Sequence, residues 1–338
     1  MFFGGQPRTP VILDSFRERK PFPGQDPFVV PYDGAFLLIQ AARGDRRIVI
    51  KRFTDLHRMH RNSTTVVWKP LRGSARGRQL WAPELHQING RWYVYYAASD
   101  GQNENHRAYV LEADHPLGPY HSLGKVCDPR HDVWAIDMTV LQHDGRLYAI
   151  WSGWEGPGDG FPQHLYIAPM ADPCTLSGPR VRISSPEHEW EMRVAPLNEG
   201  PQVVRNDRDG KLFVAFSADA SWSQEYKMGL LEWTGRDVLD PSAWTKLPRP
   251  VFTGGGHGCF IEAGGANWFV YHRKLSTDPG WADREIRCEP FTWDAGGYPL
   301  IASGRNPADL QLGPEPTEAA SPTYEPGGVQ MFGTRIPT

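Results

Sequence analysis

Short apolar runs recur along the chain, each reached through a compact polar turn. Phe36-Leu37-Leu38-Ile39 follows Asp33-Gly34, Leu147-Tyr148-Ala149-Ile150-Trp151 follows Asp144-Gly145, and Trp268-Phe269-Val270-Tyr271 follows Gly264-Gly265. Asn89-Gly90 and the polar stretch from Asn206 to Gly210 punctuate the chain in the same way, the latter leading into Leu212-Phe213-Val214-Ala215-Phe216. Runs of this length bounded by such turns read as strands. About seven residues before each turn stand Asp26, Ala82 beside Trp81, Asp137, Glu199 and His257, so the unit is a repeat. The alternating run Arg47 to Phe53 supplies a third strand in the first unit. A period of roughly 55–65 residues with three or four strands each, and no amphipathic helix, predicts an all-β chain folded as a five-bladed β-propeller.

The repeat also divides the chain. Residues 1–25 hold Pro7, Pro10, Pro21 and Pro23, which oppose helix and central strand, and are expected to wrap the outside. Residues 26–313 form the propeller as a single catalytic domain. Residues 314–338, rich in Pro, Thr, Ser and Gly, are expected to be a tail or a strap that closes the ring.

In a propeller the innermost strands line a central channel, so residues that open them converge at one end. Asp26, Asp137, Glu199 and His257, read as one equivalent position, are therefore expected in one pocket. A single acid at a strand start commonly serves local backbone amides. Three in register call for another reason. Without Cys/His metal spacing, clustered carboxylates point to general acid–base chemistry, and crowding raises the pKa of one of them. Glycoside hydrolysis is the commonest use of such a pair.

Composition sharpens this picture. Thirteen tryptophans suit an aromatic-lined sugar site, and Trp81, next to a strand-opening position, is expected to stack on a sugar face. A net charge of −3 with no Lys/Arg block excludes nucleic acid and an anionic membrane as expected partners. Cys127, Cys174, Cys259 and Cys288 are scattered, and read as free thiols in a reducing compartment. The N-terminus lacks a basic region followed by an apolar run, and no stretch is long enough to span a bilayer. The expected location is the cytoplasm, or outside the cell if a leader has been removed.

The motifs carry a family resemblance. Asp26-Pro27-Phe28-Val29, Trp81-Ala82-Pro83-Glu84-Leu85-His86, Trp134-Ala135-Ile136-Asp137, Asn198-Glu199-Gly200-Pro201 and Gly256-His257-Gly258 resemble those of glycoside hydrolase family 43, in the same order, from Asp26 to Arg273. The resemblance implies an inverting glycosidase on a five-bladed propeller. It implies Asp26 as general base, Asp137 as the carboxylate that tunes and orients, and Glu199 as general acid. His257 resembles a channel histidine that helps hold a calcium ion, often through water; no cofactor is implied for the chemistry itself. Phe28, Trp81, Ile136 and Arg273 are expected at the substrate. Arg273 has a competing reading as a salt bridge between blades, and Glu84, past the strand start, reads as structural. Trp151-Ser152-Gly153-Trp154 with the Trp81 and Trp134 motifs looks most like the exo-acting α-L-arabinofuranosidases that trim α-1,5-linked arabino-oligosaccharides or arabinan.

Alternatives from the residues stay open at this point. A β-xylosidase of the same family shares the site. A glycoside phosphorylase on this architecture would need Arg, Lys or His beside the acid, and a non-catalytic carbohydrate-binding propeller would have no need of an acid and a base.

Overall fold

The computed structural model describes residues 22–42, 46–59, 63–71, 73, 74 and 76–301. They form five antiparallel sheets, the five-bladed propeller that the repeat predicts. The innermost strands are Phe28–Tyr32, Arg78–Ile88, Ala135–His143, Asn198–Asn206 and Gly256–Ala263. Each turns back into a second strand through the signalled turns. Asp33-Gly34, Asn89-Gly90, Asp144-Gly145 and Gly264-Gly265 all place both residues at positive φ, as type I′ hairpins require.

Burial explains why the second strands read as unbroken apolar runs. Arg91–Ser99 is buried at every position after its first, because each sheet packs between two neighbouring sheets. Outer strands such as His121–Val126 alternate between exposed and covered residues instead. Four hydrophobic cores lie between consecutive blades. A fifth, with Val29, Leu38 and Phe53 from the first blade and Cys259, Val270 and Ile286 from the last, closes the ring.

The closure also uses the N-terminal side of the chain. Phe22–Pro23, within the segment expected to wrap the outside, pairs antiparallel with Arg284–Trp293 and becomes an edge strand of the fifth blade. Proline is tolerated there because an edge strand leaves one row of N–H groups unpaired. The expectations for residues 1–21 and 314–338 fall outside the described residues. No helix among the described residues is long and apolar enough to cross a membrane.

Candidate active site

A residue with positive φ stands at or near the start of each innermost strand. Asp26, Ala82, Asp137, Gly200 and His257 have φ of 47°, 42°, 56°, 54° and 43°, and in the last four blades the pairing register shifts across that residue. A bulge with a left-handed residue re-aims side chains that a regular strand would send between blades. This corrects the sequence alignment of the repeats. The fourth blade puts Gly200, not Glu199, in the shared position, and Glu199 stands one residue earlier. Only glycine fits at 200: besides its positive φ, a Cβ there would sit 2.9 Å from Cγ of His257.

The four residues still converge. Oδ1 of Asp26 lies 3.4 Å from Nδ1 of His257, whose Nδ1 is also 3.7 Å from Oδ2 of Asp137. Ligand atoms of Asp137, Glu199 and His257 all lie within 4.8 Å of one another. Asp137 accepts from the Gly200 amide at 3.1 Å, and Glu199 accepts from the Tyr226 hydroxyl at 2.7 Å. The His257 amide donates to Oγ of Ser217 at 2.7 Å, which fixes the backbone of the fifth-blade bulge.

Two residues that sequence reasoning missed complete the surroundings of Asp26. The Asp26 amide donates to Nδ1 of His272 at 3.0 Å, and Nη1 of Arg284 lies 3.8 Å from the carboxylate. Burial pushes the Asp26 pKa up, but His257, Arg284 and His272 outweigh it, and the net direction is below 3.8. His272 is itself held well below the usual imidazole range by burial and by Arg284. At neutral pH it therefore serves as a hydrogen-bond acceptor, and Arg284 is the permanent charge beside Asp26. Glu199 goes the other way. Burial first and Asp137 second raise it to about 7, against the opposing His257 and Tyr226. Asp137 is also raised well above 3.8, by burial and by Asp26. Asp137 and Glu199 thus form a coupled pair that retains a proton well above the ordinary carboxyl range.

The remaining candidates separate. Trp81 stacks on His106 with ring centroids 3.7 Å apart, and belongs to a cluster with Ile136 and the stacked pair Trp134 and Trp154. Phe28 packs against the cores on both sides of the first blade, its ring 5.1 Å from that of His86. Arg273 pairs with Glu285 at 2.8 Å on the neighbouring strand of its own blade, so its salt bridge lies within a blade rather than between blades. Glu84 accepts from His86 at 2.8 Å and from Gln202 across the channel, the structural role expected of it.

One carboxylate with a lowered pKa and one carboxyl held protonated, gathered with Asp137 and His257 where the innermost strands begin, are the equipment of a glycosidase. The family model for glycosyl hydrolases family 43 matches residues 20–299. The chain belongs to this family. It is 34% identical over 257 residues to the extracellular exo-α-(1→5)-L-arabinofuranosidase of Streptomyces chartreusis, covering 72% of this chain and 77% of the relative. To α-L-arabinofuranosidase 43 of Humicola insolens it is 32% identical over 312 residues, covering 85% of this chain but 64% of the relative. The crystal structure of an α-L-arabinofuranosidase from Lactobacillus brevis superposes with a TM-score of 0.75 at 32% identity, covering 82% of this chain and 93% of that one. Within the family the protein is a glycoside hydrolase, and its substrate is a carbohydrate.

Proposed function

We propose that the protein is an inverting, exo-acting α-L-arabinofuranosidase that releases arabinofuranose from α-1,5-linked arabino-oligosaccharides or arabinan. The observation that carries this reading is the convergence of Asp26, Asp137 and Glu199 around His257, whose surroundings shift Asp26 downward and Glu199 up to about 7. Asp26, ionised, takes a proton from the water that attacks the anomeric carbon. Glu199, protonated, gives its proton to the departing glycosidic oxygen as that bond breaks. Asp137, bridged to both through His257 and the Gly200 amide, keeps Glu199 protonated and orients the sugar. The names of the Streptomyces, Humicola and Lactobacillus relatives support the choice of sugar and, for the first, the exo mode and the linkage.

The calcium expectation meets a poor donor set. Asp137, Glu199 and His257 offer two carboxylates and a nitrogen, where calcium takes six to eight oxygens. Both carboxylates already accept hydrogen bonds, from the Gly200 amide and the Tyr226 hydroxyl. These three residues alone supply too few oxygens to enclose calcium directly.

Arg284, His257 and His272 do gather cationic or imidazole groups, as a phosphorylase would need, but they converge on Asp26. The scattered spacing of the cysteines supports cytoplasmic action on imported oligosaccharides, while the name of the Streptomyces relative supports secretion. Side-by-side assays on aryl α-L-arabinofuranoside, aryl β-xyloside and linear α-1,5-arabino-oligosaccharides test the substrate. The arabinofuranoside and the oligosaccharides should be turned over, independently of added phosphate. Preference for the xyloside, or turnover that requires phosphate, would overturn the reading.

A further inference from the structure

The loops that join the second strand of each blade to the third open at the end of the channel where the innermost strands begin, the catalytic end. In the third, fourth and fifth blades these loops carry Phe161, Trp222 and Trp281. The Trp222 and Trp281 rings have centroids 5.5 Å apart, and those of Phe161 and Trp222 are 6.3 Å apart, so the three side chains form a continuous strip. Trp281 is 56% exposed. Burial in the core therefore does not account for an indole at that position.

The strip is fastened to both halves of the catalytic apparatus. Phe161 and Trp222 pack against Ala195, Leu197 and Ala220, and Leu197 lies two residues before Glu199. The Gly280 amide donates to the Trp222 carbonyl at 3.1 Å, joining the fourth-blade and fifth-blade loops. Nε of Arg284, whose guanidinium lies beside Asp26, donates to the Trp281 carbonyl at 3.2 Å.

We propose that Phe161, Trp222 and Trp281 form a stacking platform for the sugar residues of the leaving group. The proposal rests on the arabinofuranosidase reading and adds to it the site that receives the rest of the chain. In an inverting displacement the water enters on the side of the base and the leaving oxygen departs on the side of the acid. Whatever is attached to that oxygen therefore leaves over the blade of Glu199, where the strip lies. The C–H face of a furanose ring against an indole or phenyl face is the contact such a platform provides. Its occupant is one or two further arabinofuranose residues, and it acts on specificity rather than on bond breaking.

The test compares α-1,5-arabinotriose with α-L-arabinofuranosyl fluoride, whose leaving group is one atom and cannot reach the strip. For Trp281→Ala, kcat/KM on arabinotriose should fall about 5- to 10-fold, mostly through KM, with the fluoride within about two-fold of wild type. Trp281→Phe should restore most of the loss, because a ring face returns. Equal losses on both substrates, or no loss on arabinotriose, would overturn the platform while leaving the arabinofuranosidase reading intact. A wild-type protein that turns over neither substrate would overturn that reading and the platform with it.

Discussion

The base and the acid are held by contrasting parts of the ring. Asp26 sits at the seam where the chain closes on itself, and its partners His257, His272 and Arg284 all come from the fifth blade, more than 200 positions away. Glu199 is anchored from nearby in sequence. Tyr226 of its own blade holds its carboxyl, and the preceding residue, Asn198, is locked in a buried network. Asn198 Nδ2 donates to Glu191 at 2.8 Å, its Oδ1 accepts from Ser184 at 2.6 Å and from Lys246 at 3.3 Å, and Lys246 pairs with Glu191 at 2.8 Å. The seam sets one guanidinium and two imidazoles around its carboxylate. Glu199 instead faces the Asp137 carboxyl of the third blade and the Tyr226 phenol of its own. Nearly equivalent places in two repeats thereby yield opposite protonation states, which shows that the chemistry resides in the neighbours rather than in the position.

The largest effects should come from the two carboxyls themselves, and the leaving group should separate them. Asp26→Asn should lower kcat/KM by about 10²–10⁴-fold on arabino-oligosaccharides and on an activated aryl arabinofuranoside alike, since both need the attacking water deprotonated. Glu199→Gln should show a loss of that order on the oligosaccharides only. An aryl substrate with an acidic leaving group needs little protonation and should be largely spared. Equal losses on both substrates for Glu199→Gln would remove it as the acid.

Next in size is the anchoring of the acid. Lys246→Met leaves Glu191 buried without its cation, and loss of one member of a buried pair costs about 3–5 kcal/mol. Thermal or urea unfolding should show a loss of that order. A variant as stable as wild type would mean that Asn198 does not depend on the pair for its place.

Smaller, and opposite in sign, are the shifts of the two pH limbs. Arg284→Met removes a charge that lowers the Asp26 pKa while burial continues to raise it, so the acidic limb of kcat/KM should move to higher pH. Asp137→Asn removes the neighbour that holds the proton on Glu199, so the alkaline limb should move below about 7. That limb should stay above the ordinary carboxyl value of 4.5, because burial, the larger cause, remains. The Asn variant should also lose activity at its own optimum, where the sugar is less well oriented. Limbs that stay where wild type has them would leave both residues with purely structural or sugar-binding roles.

Much of this was legible in the turns. Asp33-Gly34, Asn89-Gly90, Asp144-Gly145 and Gly264-Gly265 need positive φ, and that need marks hairpins in sequence as well as in space. The alignment of the fourth repeat slipped by one because it followed the carboxylate. Asp26-Pro27, Ala82-Pro83 and Gly200-Pro201 share the proline that follows the bulged residue, and would have placed Gly200 correctly. His272 was hidden beside Arg273. Alternation along the strand sends the two to opposite faces, one buried beside Asp26 and the other to a half-exposed salt bridge with Glu285. Arg284 and Tyr226 had no local signal: Arg284 meets Asp26 only when the ring closes, and Tyr226 meets Glu199 only when the strands of the fourth blade have paired. The exposure of Trp281 was equally illegible, because composition does not separate a core indole from one at the mouth of a site.

The central claim is that an ionised Asp26 activates water while a protonated Glu199 releases the leaving group, in a single displacement. Proton NMR of the first sugar released from an α-linked arabinofuranoside tests it most directly, by following the anomeric signals before mutarotation mixes them. The account predicts the β-anomer first, converting later to the equilibrium mixture. Initial appearance of the α-anomer would mean net retention through two displacements, and would contradict the assignment of Asp26 as the base.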